Sequence, residues 1–225
     1  MMSNIQMIYK HLIPKVLVGV VTYKGKDYCK EEFRDRLKNL TYENYKPFIV
    51  QTDSFGGNSR ERVTEGYNIV LEEFRNGEYD YLLTLEADII PPKYIIEALM
   101  AHQEEICSAT YMIGFKKDRK PCIFDGRKFK RKIGDKWVGV SQVMEPKDLD
   151  GTMVHAPGGS GLGCLLISKK VLDDFKGFRS ADAHCDTYFH EDVQRLGFKT
   201  MVDTGIMCIH YGNSEEWVPK MTTDF

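Results

Sequence analysis

Runs of β-branched apolar residues alternate with amphipathic helical stretches along the first half of the chain, and few architectures accommodate that rhythm. KVLVGVVTYKG (15 to 25) reads as a buried strand from about Lys15 to Tyr23, stopped at Gly25 and preceded by a short polar leader over 1–14. KEEFRDRLKNLTY sets Phe33, Leu37 and Leu40 at helical spacing among charges, and YKPFIVQTDSFGGNS gives a short strand closing at Asp53 before a glycine loop. SRERVTEGYNIVLEEFRNG carries Val63, Tyr67, Val70, Leu71 and Phe74 on one face and stops at Asn76-Gly77. YDYLLTLEAD follows as a strand, Pro91-Pro92 open an amphipathic helix in KYIIEALMAHQEE, and ICSATYMIG reads as another strand. Such alternation predicts an α/β fold: a mainly parallel central sheet flanked by helices, with ligands at the carboxyl ends of the strands.

The second half is less regular. KKDRKPCIFDGRKFKRKIGDKW is basic and broken by Pro121, Gly126 and Gly134, so 115–156 reads as an excursion of short β segments or a flap over the sheet. APGGSGLGCLLISKKVLDDF then gives a glycine-rich approach, a short apolar strand and a helix. DTYFHEDVQRLGFKTMVDTGIMCIHYG holds a helix beginning near His190 and strands around Thr200 to Val202 and Ile206 to His210, before a polar tail over 213–225. A length of 225 residues fits one domain across 1–225.

A formal net charge of -2 gives no global electrostatic case for nucleic acid or a membrane surface. No apolar run approaches the roughly 20 residues that span a bilayer. Cys29, Cys107, Cys122, Cys164, Cys185 and Cys208 are scattered without a C-x-x-C pair, and no secretory signal precedes them, which fits a reducing cytoplasm.

The chemistry concentrates at strand ends. Glu86 and Asp88 close an apolar run and share a face if the chain stays extended. Two hard oxygen ligands suit Mg²⁺ or Mn²⁺, although the residues alone leave open a solvated acidic loop or caps for the next helix. Asp53 reads equally as a turn residue before Gly56-Gly57, Arg60 and Arg62 as partners of Glu61 or Glu65, and Glu191-Asp192 as helix-start acids. His184, Cys185 and His190 lack the paired spacing of a zinc site. In PGGSGLG a strand separates the glycines from the helix, the wrong order for a dinucleotide loop.

Taken in order, VGVVTY, Asp53, LLTLEADIIPP, GGSGLGCLLISKKVL and FHEDVQRLGF…GIMCIHYG resemble the GT-A glycosyltransferases, in particular glycosyltransferase family 2 and its relatives, over roughly residues 15 to 212. The resemblance implies a GT-A (Rossmann-like nucleotide-diphospho-sugar transferase) fold and transfer of a sugar from a nucleotide-diphosphate donor, a UDP- or GDP-sugar, to a hydroxyl of a glycan, lipid or protein. It places Glu86-Ala87-Asp88 at the family's Asp-x-Asp motif, with Asp88 on a Mn²⁺ or Mg²⁺ ion, Glu86 on the ion or the ribose, and His210 completing the metal site. Thr22, Tyr23 and Asp53 match the nucleoside cradle, Arg62 the diphosphate contact, and Gly159 and Ser160 the loop beside donor sugar and acceptor. Asp192 would be the general base of an inverting reaction, assisted by Glu191; retention is the alternative, because a metal-binding histidine after the acidic pair also occurs among retaining relatives. Glu in place of the first Asp departs from the family pattern. The alternatives are a non-catalytic module on the same scaffold and a sugar-1-phosphate nucleotidyltransferase, against which VTYKGKDYC offers only Gly25 where that enzyme needs a glycine-rich turn.

Overall fold

The computed structural model describes residues 13–24, 30–115, 118–133, 136–212 and 215–217. Expectations for the 1–14 leader and the 213–225 tail lie almost wholly outside them. The centre of the fold is β1 (Val16–Thr22), hydrogen-bonded on one side to β2 (Tyr45–Gln51) and on the other to β3 (Tyr81–Glu86), all parallel. Val16, Val18 and Val20 face one side of this sheet, where they pack with Phe33 and Leu37 of α1 (Lys30–Lys38) and Ile95, Ile96 and Leu99 of α3 (Ile95–Ala101). Leu17 and Val21 face the other, against Tyr67, Val70, Leu71 and Phe74 of α2 (Ser59–Asn76). A strand buried on both faces has no polar alternation, which is why its sequence is a continuous apolar run.

Local signals delimit α2. Asn58 caps it by accepting from the Arg60 and Glu61 amides while the Glu61 carboxylate accepts from the Asn58 amide, and Gly77 closes it. Gly19 lets this helix lie against the sheet: a β-carbon there would stand 2.3 Å from Val70 Cγ1.

After β3 come β4 (Ile89–Ile90), α3, β5 (Ile106–Thr110), the hairpin of β6 (Met112–Phe115) and β7 (Asp118–Pro121), and the hairpin of β8 (Ile123–Ile133) and β9 (Lys136–Val143). A 3-10 turn (Pro146–Asp148), β10 (Met153–His155), β11 (Gly159–Ser160), β12 (Cys164–Ser168), α4 (Lys169–Asp174), α5 (Cys185–Arg195), β13 (Met201–Met207), β14 (Ile209–Gly212) and β15 (Glu215–Trp217) complete the described chain. The main sheet runs β10-β13-β5-β12-β3-β1-β2. Five of its seven strands point the same way, and β12 and β10 are reversed. The mainly parallel sheet expected from the sequence is present, with an antiparallel strand inserted at β12. Residues 115–156 form β segments in the described part.

Two boundaries differ from expectation. The helix placed near His190 begins at Cys185, so Glu191 and Asp192 lie in its middle and do not meet the positive end of its dipole. Near the carboxyl terminus the first strand is longer than expected, Met201–Met207, and the second is shifted to Ile209–Gly212. Among the described residues no helix is long and apolar enough to cross a membrane.

Candidate active site

The carboxyl ends of β1, β2 and β3 share one sheet edge: Thr22 is opposite Gln51 and Val21 opposite Glu86. Because β12 is antiparallel, its start lies at that edge too, with Cys164 opposite Leu85, and the Gly163 carbonyl accepts from the Glu86 amide at 3.1 Å. Reversal of β12 therefore brings the glycine loop to the acidic strand end.

Beyond Glu86 the chain turns through Ala87 and Asp88 into β4, which pairs antiparallel with β14 so that Ile89 is opposite His210. The Tyr211 amide donates to the Asp88 carbonyl at 2.8 Å. This pairing joins residues 122 positions apart in sequence and sets His210 Nε2 3.6 Å from Asp88 Oδ2, with Asp88 only 5% exposed. His210 Nδ1 lies 2.5 Å from the Met112 carbonyl, so its N–H donates there and Nε2 faces the Asp88 carboxylate. Burial works to lower the His210 pKa, but the Asp88 carboxylate, the Met112 carbonyl and the charge of Glu86 outweigh it, and the imidazole titrates above its ordinary value.

Asp186, which the sequence reading did not single out, lies near enough to Glu86 for the two charges to interact. It is the second residue of α5. Its carboxyl is raised above the ordinary carboxylate range, first by burial and then by the charge of Glu86, against the opposing bond from the Thr187 amide. The charges of Glu86 and Asp186 both act on Tyr67 and Tyr111, whose buried hydroxyls are pushed well above the ordinary tyrosine value, chiefly by burial. These carboxylates and phenols form one electrostatic neighbourhood.

Asp192 sits elsewhere. Six residues beyond Asp186 places it about 9 Å further along the helix axis and on a different face. Arg179 Nε and Nη2 each donate to it at 2.9 Å and Arg195 Nη1 does the same, and Arg179 above all holds its carboxyl below the usual range. Glu191 faces Arg195 Nη2 at 3.7 Å.

On the nucleoside side, the Thr22 carbonyl accepts from the Thr52 amide at 3.0 Å, and both Asp53 carboxylate oxygens accept from the Lys24 amide at 3.0 and 3.2 Å. Tyr23 is 39% exposed at the mouth of this edge. Arg62 Nη1 donates to the Gly57 carbonyl at 3.3 Å and Arg60 Nη1 to the Asp182 carbonyl at 2.8 Å. The structure thus brings Thr22, Tyr23, Asp53, Glu86, Asp88 and His210 to one edge.

Solved structures share this fold. The chain is similar to A197 from STIV, with a TM-score of 0.52 at 12% identity over 94% of this chain and 97% of that one. It is also similar to the mannosyltransferase PcManGT from Pyrobaculum calidifontis in complex with GDP-Man and Mn²⁺, with a TM-score of 0.54 at 14% identity, over 87% of this chain and 56% of the other. The fold is GT-A. No protein-family model and no curated protein sequence matches the chain.

Within this GT-A fold Gly159 and Ser160 are buried and pair with Phe124 and Ile123 of β8. The Ser160 amide donates to His190 Nε2 at 3.1 Å, and its hydroxyl to the Gly161 carbonyl at 3.3 Å. His190 Nδ1 then donates to the Thr200 hydroxyl at 2.9 Å. Both ring nitrogens are thus used inside the fold, which accounts for a histidine the sequence could only set beside His184 and Cys185.

Burial lowers the pKa of His190 to about 4, against the opposing Ser160 bond. Folded and unfolded states are both neutral there above about pH 6.5. As pH falls the unfolded chain takes up the proton first, so stability drops between about 6.5 and 4 and levels off below, a loss on the order of 3 kcal/mol. Denaturant titrations across that range should show His190→Gln with a shallower acid dependence than the native chain; equal slopes would remove His190 from the account.

Proposed function

We propose that the chain is a cation-dependent glycosyltransferase that moves a sugar from a nucleoside diphosphate, a UDP- or GDP-sugar, to a hydroxyl of a glycan, lipid or protein, with inversion. The observation that carries this reading is the meeting of Asp88 and His210, next to the Glu86 strand end, at the carboxyl edge of a GT-A sheet. The mannosyltransferase of similar fold was solved with GDP-Man and Mn²⁺, which supports a nucleotide-sugar donor.

The donor set fits a divalent ion. A buried carboxylate stands 3.6 Å from an imidazole nitrogen whose ring is held in place by the Met112 carbonyl, an oxygen and a nitrogen donor side by side. Among the described residues no group of three or more His, Cys, Asp or Glu side chains is arranged around a metal position. Asp88 and His210 would therefore hold the ion together with donor phosphate oxygens and water, and nitrogen ligation tilts the site toward Mn²⁺ over Mg²⁺. When bound, the ion supplies positive charge to the diphosphate as the sugar–phosphate bond breaks.

The chain's own groups do the rest. Asp53 and Tyr23 receive the nucleoside, Thr22 and Glu86 line the ribose side, and the Arg62 guanidinium offers a fork of donors to phosphate oxygens. Asp186 takes the proton of the acceptor hydroxyl, because burial and the charge of Glu86 raise its pKa from the ordinary carboxylate value and so make it the stronger base. Asp192, held by two guanidinium groups and depressed, is the weaker candidate and keeps α5 in place. Unpaired cysteines among the described residues accord with a cytoplasmic setting.

Donor hydrolysis across UDP- and GDP-sugars, with and without Mn²⁺, tests the reading. Cation-dependent release of one nucleotide is expected. No release from any donor by folded protein would favour a non-catalytic module.

A further inference from the structure

Tyr111 stands between β5 and β6 and is 4% exposed. Its hydroxyl accepts from the Gly163 amide at 3.2 Å and also bonds the Cys122 thiol, while its carbonyl accepts from the Cys122 amide at 2.9 Å. The loop is built around this hydroxyl: a β-carbon at Gly161 would stand 2.0 Å from it, and one at Gly163 2.8 Å from the ring carbon that bears it. Gly163 in turn accepts the Glu86 amide. The ring also meets the His210 imidazole in a T-shaped contact, with centroids 5.8 Å apart at 87°. The next residue, Met112, supplies the carbonyl that orients His210.

We infer that Tyr111 is a positioning residue that sets the glycine loop of residues 161–163 and the His210 imidazole in register across the acidic strand end. The hydroxyl serves the loop and the ring serves His210. The loop's two glycines leave room for the phenol, and a phenol without its oxygen leaves the Gly163 amide buried and unsatisfied. What the positioned groups do rests on the transferase reading.

Tyr111→Phe and Tyr111→Leu separate the two contacts. In Tyr111→Phe, amide exchange at Gly163 accelerates about tenfold or more, the His210 ring signals in ¹⁵N and ¹³C spectra stay in place, and Tm shifts by no more than about 5 °C. In Tyr111→Leu the His210 signals move as well. With a donor that is turned over, Tyr111→Phe lowers kcat about tenfold and leaves donor KM within about threefold. Unchanged Gly163 exchange in Tyr111→Phe, or uniform acceleration across the whole main sheet, would overturn the inference. So would equal His210 shifts in both variants. If the native chain turns over no donor, the transferase reading fails while exchange and the ring signals still decide the role of Tyr111.

Discussion

Asp186→Asn should lower turnover about 10²- to 10⁴-fold while leaving cation-dependent donor binding within about threefold. The substitution keeps shape and hydrogen bonding at the start of α5 but removes the group able to accept a proton. Because Asp186 is lifted above the ordinary carboxylate range by burial and by Glu86, the acid limb of kcat/KM in the native chain should lie above the ordinary Asp value, with activity lost as pH falls through it. Asp192→Asn supplies the contrast. Its carboxyl is held by Arg179 and Arg195, so its loss weakens helix packing and leaves the acid limb where it was. Steady-state kinetics of the two variants with one donor decide between them: an intact Asp186→Asn enzyme beside a dead Asp192→Asn one would return the base to Asp192.

Gly159→Ala should be the most damaging single methyl group in the site region, costing about 2–5 kcal/mol and roughly 5–15 °C in Tm. Two effects add. The backbone there has φ +84, which an L side chain adopts at a cost, and the new β-carbon would lie 2.2 Å from His190 Cγ. His190 cannot retreat, since both of its nitrogens are bonded, to the Ser160 amide and the Thr200 hydroxyl. Gly56→Ala is the control, because a β-carbon there meets nothing within 4 Å. Thermal unfolding of the pair should separate them clearly; equal Tm values would mean that the β11 turn is freer than the packing implies.

Legibility in the sequence followed the range of the interactions. β1, β3 and α2 were readable because burial on both faces, helical periodicity and a Gly77 stop are local properties. The reversal of β12 was not, since Cys164–Ser168 is an apolar run of the kind a parallel strand would also show, and direction is set by neighbours far away in the chain. The start of α5 was not legible because the residue in the N-cap position is His184, which makes no side-chain cap bond. With the helix start placed near His190, Asp186 fell before the helix, while the resemblance assigned the base to Asp192 and Glu191. Tyr111 lay inside what read as one strand, ICSATYMIG, and only the break between β5 and β6 exposes its role. The pairing of Asp88 with His210 could be suggested by resemblance alone, because the β4–β14 contact that makes it leaves no mark on spacing.

The most direct test of the account is a calorimetric titration of UDP-, GDP-, CMP- and dTDP-sugars into the native chain and Asp88→Ala, with and without Mn²⁺. The account predicts binding of one nucleotide class that requires the cation and weakens about 100-fold or more in Asp88→Ala. Binding of equal strength without Mn²⁺ or without the Asp88 carboxylate would contradict it.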